Sequence, residues 1–340
     1  MRNCILLVCI SVTSLTSGML LRPAGNSHSQ RLPLPAEQVC ALDAANPNGP
    51  ETIDDREIRQ HIQHTGGALV DNSEATEMAE LIKQLSVDEC ELTLPEKTSP
   101  PPANGLLYEH AKKGVLVIGS IYKCGRCNNW HAGCASGFVV SASGAVVTNY
   151  HVVDKPTNST LVAMTADGQV LPVKRVLAAS KLDDIAILQL DVQGQVLTPL
   201  PIAPVRMPVG SNVSVISHPN HHYYCYTSGV VSRYTQMRSN DGPANAMTIT
   251  ADFARGSSGA PVLNDKGEVI GIVRSTESLY YKVEEGQQKN LQMVFKTCIP
   301  ATSLLKLIAG IPVQPVAESD RIQGSDTNDR EAVNAATPSL

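Results

Sequence analysis

A serine flanked by glycines, in Gly256-Ser257-Ser258-Gly259-Ala260-Pro261, lies between the strand-like stretches Ala246–Asp252 and Val269–Val273. An unaided serine hydroxyl is a poor nucleophile and needs a base and a site for the developing oxyanion. Glycine at 256 lets the N–H groups of Gly256 and Ser258 converge on one point, which is how main chain forms an oxyanion hole. The same turn also describes an ordinary loop, so its meaning depends on partners. Two are present. His151 sits in Thr148–Val153, after the strand-like Gly144–Val147, and Asp184 opens the run Asp184–Leu188, whose only charge it carries. In a triad His151 takes the Ser258 proton as the hydroxyl attacks a carbonyl and gives it to the leaving amine. Asp184 fixes the imidazole tautomer and stabilises the imidazolium that forms. Asp183, the neighbouring carboxylate, competes for that role.

The order His151, Asp184, Ser258 is the order found in chymotrypsin, and other triad families use other orders. TNYHVV, DDIAILQL and ARGSSGAPVLNDKGEVIGIV resemble the chymotrypsin-like serine proteases, especially their bacterial HtrA-type branch, from roughly Gly114 to Gly310. The resemblance implies two six-stranded antiparallel β-barrels with the active site between them and a terminal helix. His151 and Asp184 would come from the first barrel and Ser258 from the second. The family pattern Asp-Leu/Ile-Ala selects Asp184 over Asp183.

Ser257 and Ala260 depart from the Asn or Asp and the Gly usual in the family, and Ala260 adds a methyl where backbone approach is close. Asp252 lies at the spacing before Ser258 where trypsin-like enzymes place the carboxylate of the primary pocket, implying cleavage after Lys or Arg. Alternatively it ends a strand. The residues after Gly310 are too few for a PDZ-like domain.

The resemblance implies a serine endopeptidase acting on protein or peptide through an acyl-enzyme, with no cofactor. A catalytically silent binding protein on the same fold is the alternative, since a fold does not guarantee its activity.

Cysteine and histidine add a second constellation. Cys124, Cys127, His131 and Cys134 precede the His151 strand and could supply four tetrahedral ligands to Zn²⁺. In an exported chain the cysteines could instead pair as disulfides, or remain free thiols. A metal- or redox-responsive protease, with Cys124–Cys134 acting on the His151 strand, is a further reading. His218, His221, His222 and Cys225 have poor metal spacing and read as surface residues of a loop.

The elements that must position these groups are short. Val115–Tyr122, Gly137–Val140, Leu161–Met164, Ile185–Leu190, Val213–Ile216, Ser228–Arg233, Met247–Ala251 and Leu291–Phe295 are apolar runs broken by Gly, Pro, Asn and Asp, the pattern of an all-β barrel or sandwich. Pro300–Ala309 reads as a short helix. Residues 103–312 therefore form the predicted protease domain.

Residues 30–102 form a partly helical N-terminal extension with patches at Asp54–His64 and Asn72–Leu85. Asp71 with Glu74 makes a capping-box-like start for the second patch. A Pro-rich linker, Ser99–Pro102, follows. The extension reads most simply as a tether, with a pro-segment, a partner-docking arm or a covering flap as alternatives.

Residues 1–29 read as a secretory signal, with Arg2, an apolar run over Cys4–Leu21 and a cleavage site at Ser27-His28-Ser29; an uncleaved membrane anchor is the alternative, for which the run is marginal in length. Residues 313–340 read as a disordered tail. The sequence thus predicts an exported chain, periplasmic or secreted, with no membrane span in its mature form. Across 340 residues, 42% hydrophobic and 17% charged content supports a globular core, and the net charge of −5 argues against a nucleic-acid partner.

Overall fold

The computed structural model describes residues 52–95, 106–239, 241–284 and 286–310. The predicted signal, Cys40, the Pro-rich linker and the tail lie outside the described residues.

The first barrel comprises β1 (Val115–Lys123), β2 (Trp130–Val139), β3 (Ala145–Thr148), β4 (Thr160–Met164), β5 (Val170–Ser180) and β6 (Ile185–Leu190). These close in the order β1-β2-β3-β6-β5-β4 through the antiparallel pairing of β1 with β4. Alternation along β6 explains its unbroken apolar sequence. Ile185 and Ile187 enter one core cluster with Phe138 and Val147, while Ala186 and Leu188 enter another with Leu116 and Ile118. Both faces of the strand are therefore buried.

The second barrel comprises β7 (Asn212–Ser217), β8 (Cys225–Ser239), β9 (Gly242–Ile249), β10 (Pro261–Leu263), β11 (Val269–Glu284) and β12 (Gln287–Pro300). It closes in the order β10-β11-β12-β9-β8-β7. The expected fold class, two six-stranded antiparallel barrels, is the fold observed. The terminal helix Ala301–Leu305 is shorter than expected, but Leu307 and Ile308 beyond it remain buried.

The extension does not behave as a tether. Its first helix, α1 (Asp55–Asp71), is capped by Asp54, whose carboxylate accepts from the N–H groups of Arg56 and Glu57. The helix continues past His64 because Gly66 and Gly67 do not break it. They are required by contact: a Cβ at 66 would lie 2.5 Å from Ile121 Cδ1, and one at 67 would lie 2.2 Å from Trp130 Cδ1. Each glycine costs a helix about 1 kcal/mol relative to alanine, but here each lets the helix lie flat on the β1–β2 hairpin.

Asp71 ends this helix instead of capping the next, and its carboxylate accepts from Trp130 Nε1 at 3.0 Å. The second helix, α2 (Met78–Lys83), starts later than expected. Met78 and Leu81 are buried with Leu116 and Ile118 of the barrel. Farther on, Cys90 exchanges backbone hydrogen bonds with Leu307 and Ala309, so the extension reaches the end of the second barrel.

Candidate active site

His151 lies in the helical turn Tyr150–Val153 that follows β3, and Asp184 lies immediately before β6. Pairing of β3 with β6 brings them together. Asp184 receives His151 Nδ1 at 2.9 and 3.0 Å through its two carboxylate oxygens, and also the His151 backbone N–H at 3.0 Å. That double grip fixes both ring and backbone. Asp184 takes φ +59°, a left-handed conformation that is costly for a non-glycine residue. Asn149, fully buried, donates from Nδ2 to the Asp184 carbonyl at 2.9 Å and holds that turn. Asp183 instead turns its backbone N–H to Ser180 Oγ.

Arg274 was not anticipated. Its Nε lies 3.4 Å from Asp184 Oδ2, with the side chain only 18% exposed. The β11–β12 register shifts between Val273 and Ser275, so Arg274 is the extra residue of a β-bulge. A bulge re-aims its side chain, here from the second barrel onto a carboxylate of the first. Bulge positions carry no clear sequence pattern, and only the charge within an otherwise apolar strand start could have flagged it.

Ser258 comes from the second barrel, in the turn before β10. Gly256 (φ +100°) and Gly259 (φ +87°) both adopt left-handed backbone. A Cβ at 256 would meet the His218 carbonyl oxygen at 2.4 Å, and one at 259 would meet the Ser136 carbonyl oxygen at 2.2 Å. Among the described residues, the N–H groups of Gly256 and Ser258 donate to no backbone acceptor. Ala260 does not take positive φ, and its methyl is fully buried in the second barrel's core. The departure from glycine there is therefore absorbed by packing. Ser257 is also buried, with its hydroxyl accepting from Ser217 Oγ at 2.9 Å.

Buried Ser136 joins the barrels at this point. Its N–H donates to the Ser258 carbonyl at 2.8 Å, its hydroxyl donates to the Gly256 carbonyl at 2.9 Å, and its carbonyl accepts from Thr148 Oγ1 at 2.9 Å.

His151, Gly256 and Ser258 line one cleft of about 530 Å³. Ser258 Oγ forms no hydrogen bond with His151 among the described residues. Arg59 of the extension, Lys155, Arg255 and His221 also line the cleft, which has no Asp or Glu in its lining. Burial, followed by the charges of Arg59 and Arg255, holds the His221 pKa below its ordinary value.

Asp252 is not in this lining. Its side chain is 83% exposed and pairs with Lys296 at 3.2 Å, while its carbonyl accepts from Thr227 Oγ1.

The histidine run is not all surface. His218 is fully buried: its Nδ1 accepts from the Tyr224 N–H at 3.0 Å, so its Nε2 donates to the Leu116 carbonyl at 3.0 Å. Burial depresses its pKa to about 4. The signal for this was the apolar strand Val213–Ile216 leading directly into it.

The four proposed zinc candidates also separate. Cys124, Cys127 and His131 cluster within 4.8 Å. Cys134 does not join them: its thiol faces the His218 carbonyl at 3.7 Å, and burial pushes its pKa up to about 12. The cause is strand periodicity, because residues 131 and 134 of β2 fall on opposite faces. All the described cysteines are free thiols.

Residues 135–272 match the trypsin-like peptidase domain family. HhoA of Synechocystis is 32% identical over 149 residues, 42% of this chain and 36% of that protein. Protease Do-like 1, chloroplastic, of Arabidopsis thaliana is 32% identical over 145 residues, 41% of this chain and 32% of its own. Serine endoprotease DegS of Escherichia coli is 27% identical over 168 residues, 47% of this chain and 46% of its own. The chain therefore spans between about a third and a half of these relatives. With the two closed barrels and the match centred on their junction, the chain carries a chymotrypsin-like serine protease domain of the HtrA type.

Proposed function

We propose that this chain is a serine endopeptidase that hydrolyses peptide bonds through Ser258, His151 and Asp184. The observation that carries the reading is the double contact of the Asp184 carboxylate with His151 Nδ1, in a cleft that Ser258 enters from the opposite barrel. That contact leaves Nε2 as the basic nitrogen. It takes the Ser258 proton as Oγ bonds to the scissile carbonyl carbon. The carbonyl oxygen becomes an oxyanion, held by the N–H groups of Gly256 and Ser258. Collapse breaks the C–N bond, and the leaving amine receives the proton from His151. Water then repeats the sequence on the acyl-enzyme.

The cleft's cations favour acidic residues beside the scissile bond, because Arg59, Lys155 and Arg255 face substrate without a compensating carboxylate in the lining. Asp252, exposed and paired with Lys296, gives no support to a Lys/Arg pocket. The apolar run Cys4–Leu21 supports export, and N-terminal sequencing of the mature chain tests it. No helix among the described residues is long and apolar enough to cross a membrane.

One observation favours the silent binding protein: Ser258 and His151 share no hydrogen bond. Such bonds are often long in unliganded enzymes and tighten only with substrate, so the active reading is retained. A fluorophosphonate probe decides between the two. Labelling of the native chain that is lost in Ser258→Ala supports proteolysis. No labelling of the folded native chain supports the silent protein.

A further inference from the structure

We infer that the tip of the β1–β2 hairpin is a zinc site, with Cys124, Cys127 and His131 as protein ligands and water completing the tetrahedron. The site is independent of the proposed proteolysis.

Its donor atoms are already gathered. Cys124 Sγ and Cys127 Sγ lie 3.4 Å apart, and Cys127 Sγ lies 3.2 Å from His131 Nε2. A tetrahedral zinc with ordinary Zn–S and Zn–N bonds separates two sulfurs by about 3.8 Å and sulfur from nitrogen by about 3.6 Å. These two pairs need to part by only a few tenths of an ångström, and all three donor atoms lie within 4.8 Å of one another. Two thiolates and an imidazole are the donor set that suits zinc over magnesium or calcium.

The backbone is shaped for the same purpose. Cys124-Gly125-Arg126-Cys127 forms a tight turn with Gly125 at φ +71°, where a side chain would be strained. This turn aims the Arg126 N–H at Cys124 Sγ, 3.4 Å away. An N–H directed at sulfur stabilises the thiolate, which is the form that binds metal.

The third ligand is held from the opposite strand. His131 pairs with Tyr122 across the hairpin, and their rings stack with centroids 5.5 Å apart. This places Nε2 at the turn. One residue away, Trp130 is fixed by Asp71 and covered by Lys123, whose Nζ lies 3.9 Å from the ring centroid. The metal would therefore join the end of β1 to the start of β2.

The consequence reaches the cleft. Tyr122, which stacks on the ligand His131, lines it together with Ala132 and Gly133. A zinc ion at the tip would hold this wall in one register, and its loss would loosen the wall without touching His151, Asp184 or Ser258.

The test uses the full chain carrying Ser258→Ala, reduced, stripped with chelator and titrated with Co²⁺. One equivalent should bind, giving the visible absorption of tetrahedral cobalt and near-ultraviolet thiolate charge transfer, and Zn²⁺ should abolish both. Cys127→Ser should lose the thiolate band and His131→Ala should shift the visible band, whereas Cys225→Ser should match the parent. Circular dichroism verifies folding of each variant. Hydrogen exchange of residues 122–131 should slow severalfold with Zn²⁺. Failure of cobalt to bind the folded chain, or binding that survives Cys127→Ser unchanged, would overturn the site. So would a Cys124–Cys127 disulfide, read as a two-hydrogen mass loss, in chain purified without reductant in the presence of Zn²⁺.

Discussion

Buried His218 should make the protein acid-sensitive in a defined window. Its ring accepts from Tyr224 on one side and donates to Leu116 on the other, leaving no room for a second proton. Its folded pKa is about 4, against about 6.5 for an unfolded histidine. The unfolded chain therefore binds the extra proton first. The stabilisation is present in full above pH ~6.5 and is lost as pH falls toward 4. At about 1.4 kcal/mol per pKa unit, the loss by pH 4 is about 3 kcal/mol, a large share of the 5–15 kcal/mol typical of a domain.

The assay is denaturant unfolding at pH 7, 5.5 and 4 for the native chain and for His218→Gln, which cannot titrate. The variant should be less stable at pH 7, but its stability should fall by about 3 kcal/mol less between pH 7 and 4. All other titrating groups cancel in the difference. Parallel pH dependences in the two proteins would refute the reasoning.

Removing Arg274 should lower kcat/KM. The guanidinium shares Asp184 Oδ2 with His151, so Arg274→Gln removes one of the two groups that hold the carboxylate in place and should cost about tenfold in kcat/KM, ~1.4 kcal/mol. Arg274→Lys should restore most of the loss, and an unchanged kcat/KM in the Gln variant rejects the role. Gly259→Ala, at φ +87° with Ser136 O in the way, should cost about 2–4 kcal/mol and abolish probe labelling of Ser258. Retained labelling at native stability would count against the turn geometry. In a peptide-library profile, acidic residues should be enriched around the cleaved bond and Arg255→Glu should reverse the enrichment. A native preference for Lys or Arg would contradict the charge argument.

The parts legible in the sequence were those fixed by local chemistry. Each barrel strand is a short apolar run, and the nucleophile turn, the histidine turn and the Asp184 strand each carry their own pattern. What escaped depends on contacts distant in sequence. The helix extends beyond the patch Asp54–His64 through Gly66 and Gly67, whose use is contact with Ile121 and Trp130. Arg274 was hidden because a bulge, unlike a turn, imposes no residue type. His218 escapes because a run of polar residues masks its one buried member. The separation of Cys134 from the other three is legible in the sequence, since a period of two within a strand already sets positions 131 and 134 on opposite faces.

Of these residues, His218 belongs to the loop that backs the turn carrying Ser258. Asn220, His221 and Tyr224 all adopt positive φ, a conformation costing on the order of 1–3 kcal/mol per residue. Such a loop persists only if its surroundings over-determine it. His218 ties it to β1. Asp55 of α1 accepts from the Tyr223 N–H at 2.9 Å and meets His222 Nδ1 at 3.2 Å. The Asn220 N–H in turn donates to the Arg255 carbonyl, one residue before the Gly256 amide proposed to hold the oxyanion. The N-terminal helix therefore acts on the proposed chemistry from behind: it holds the strained loop that holds the turn, and through Arg59 it also contributes charge to the cleft. An inhibitory cover would have to occlude Ser258, whereas these contacts support the backbone that presents it.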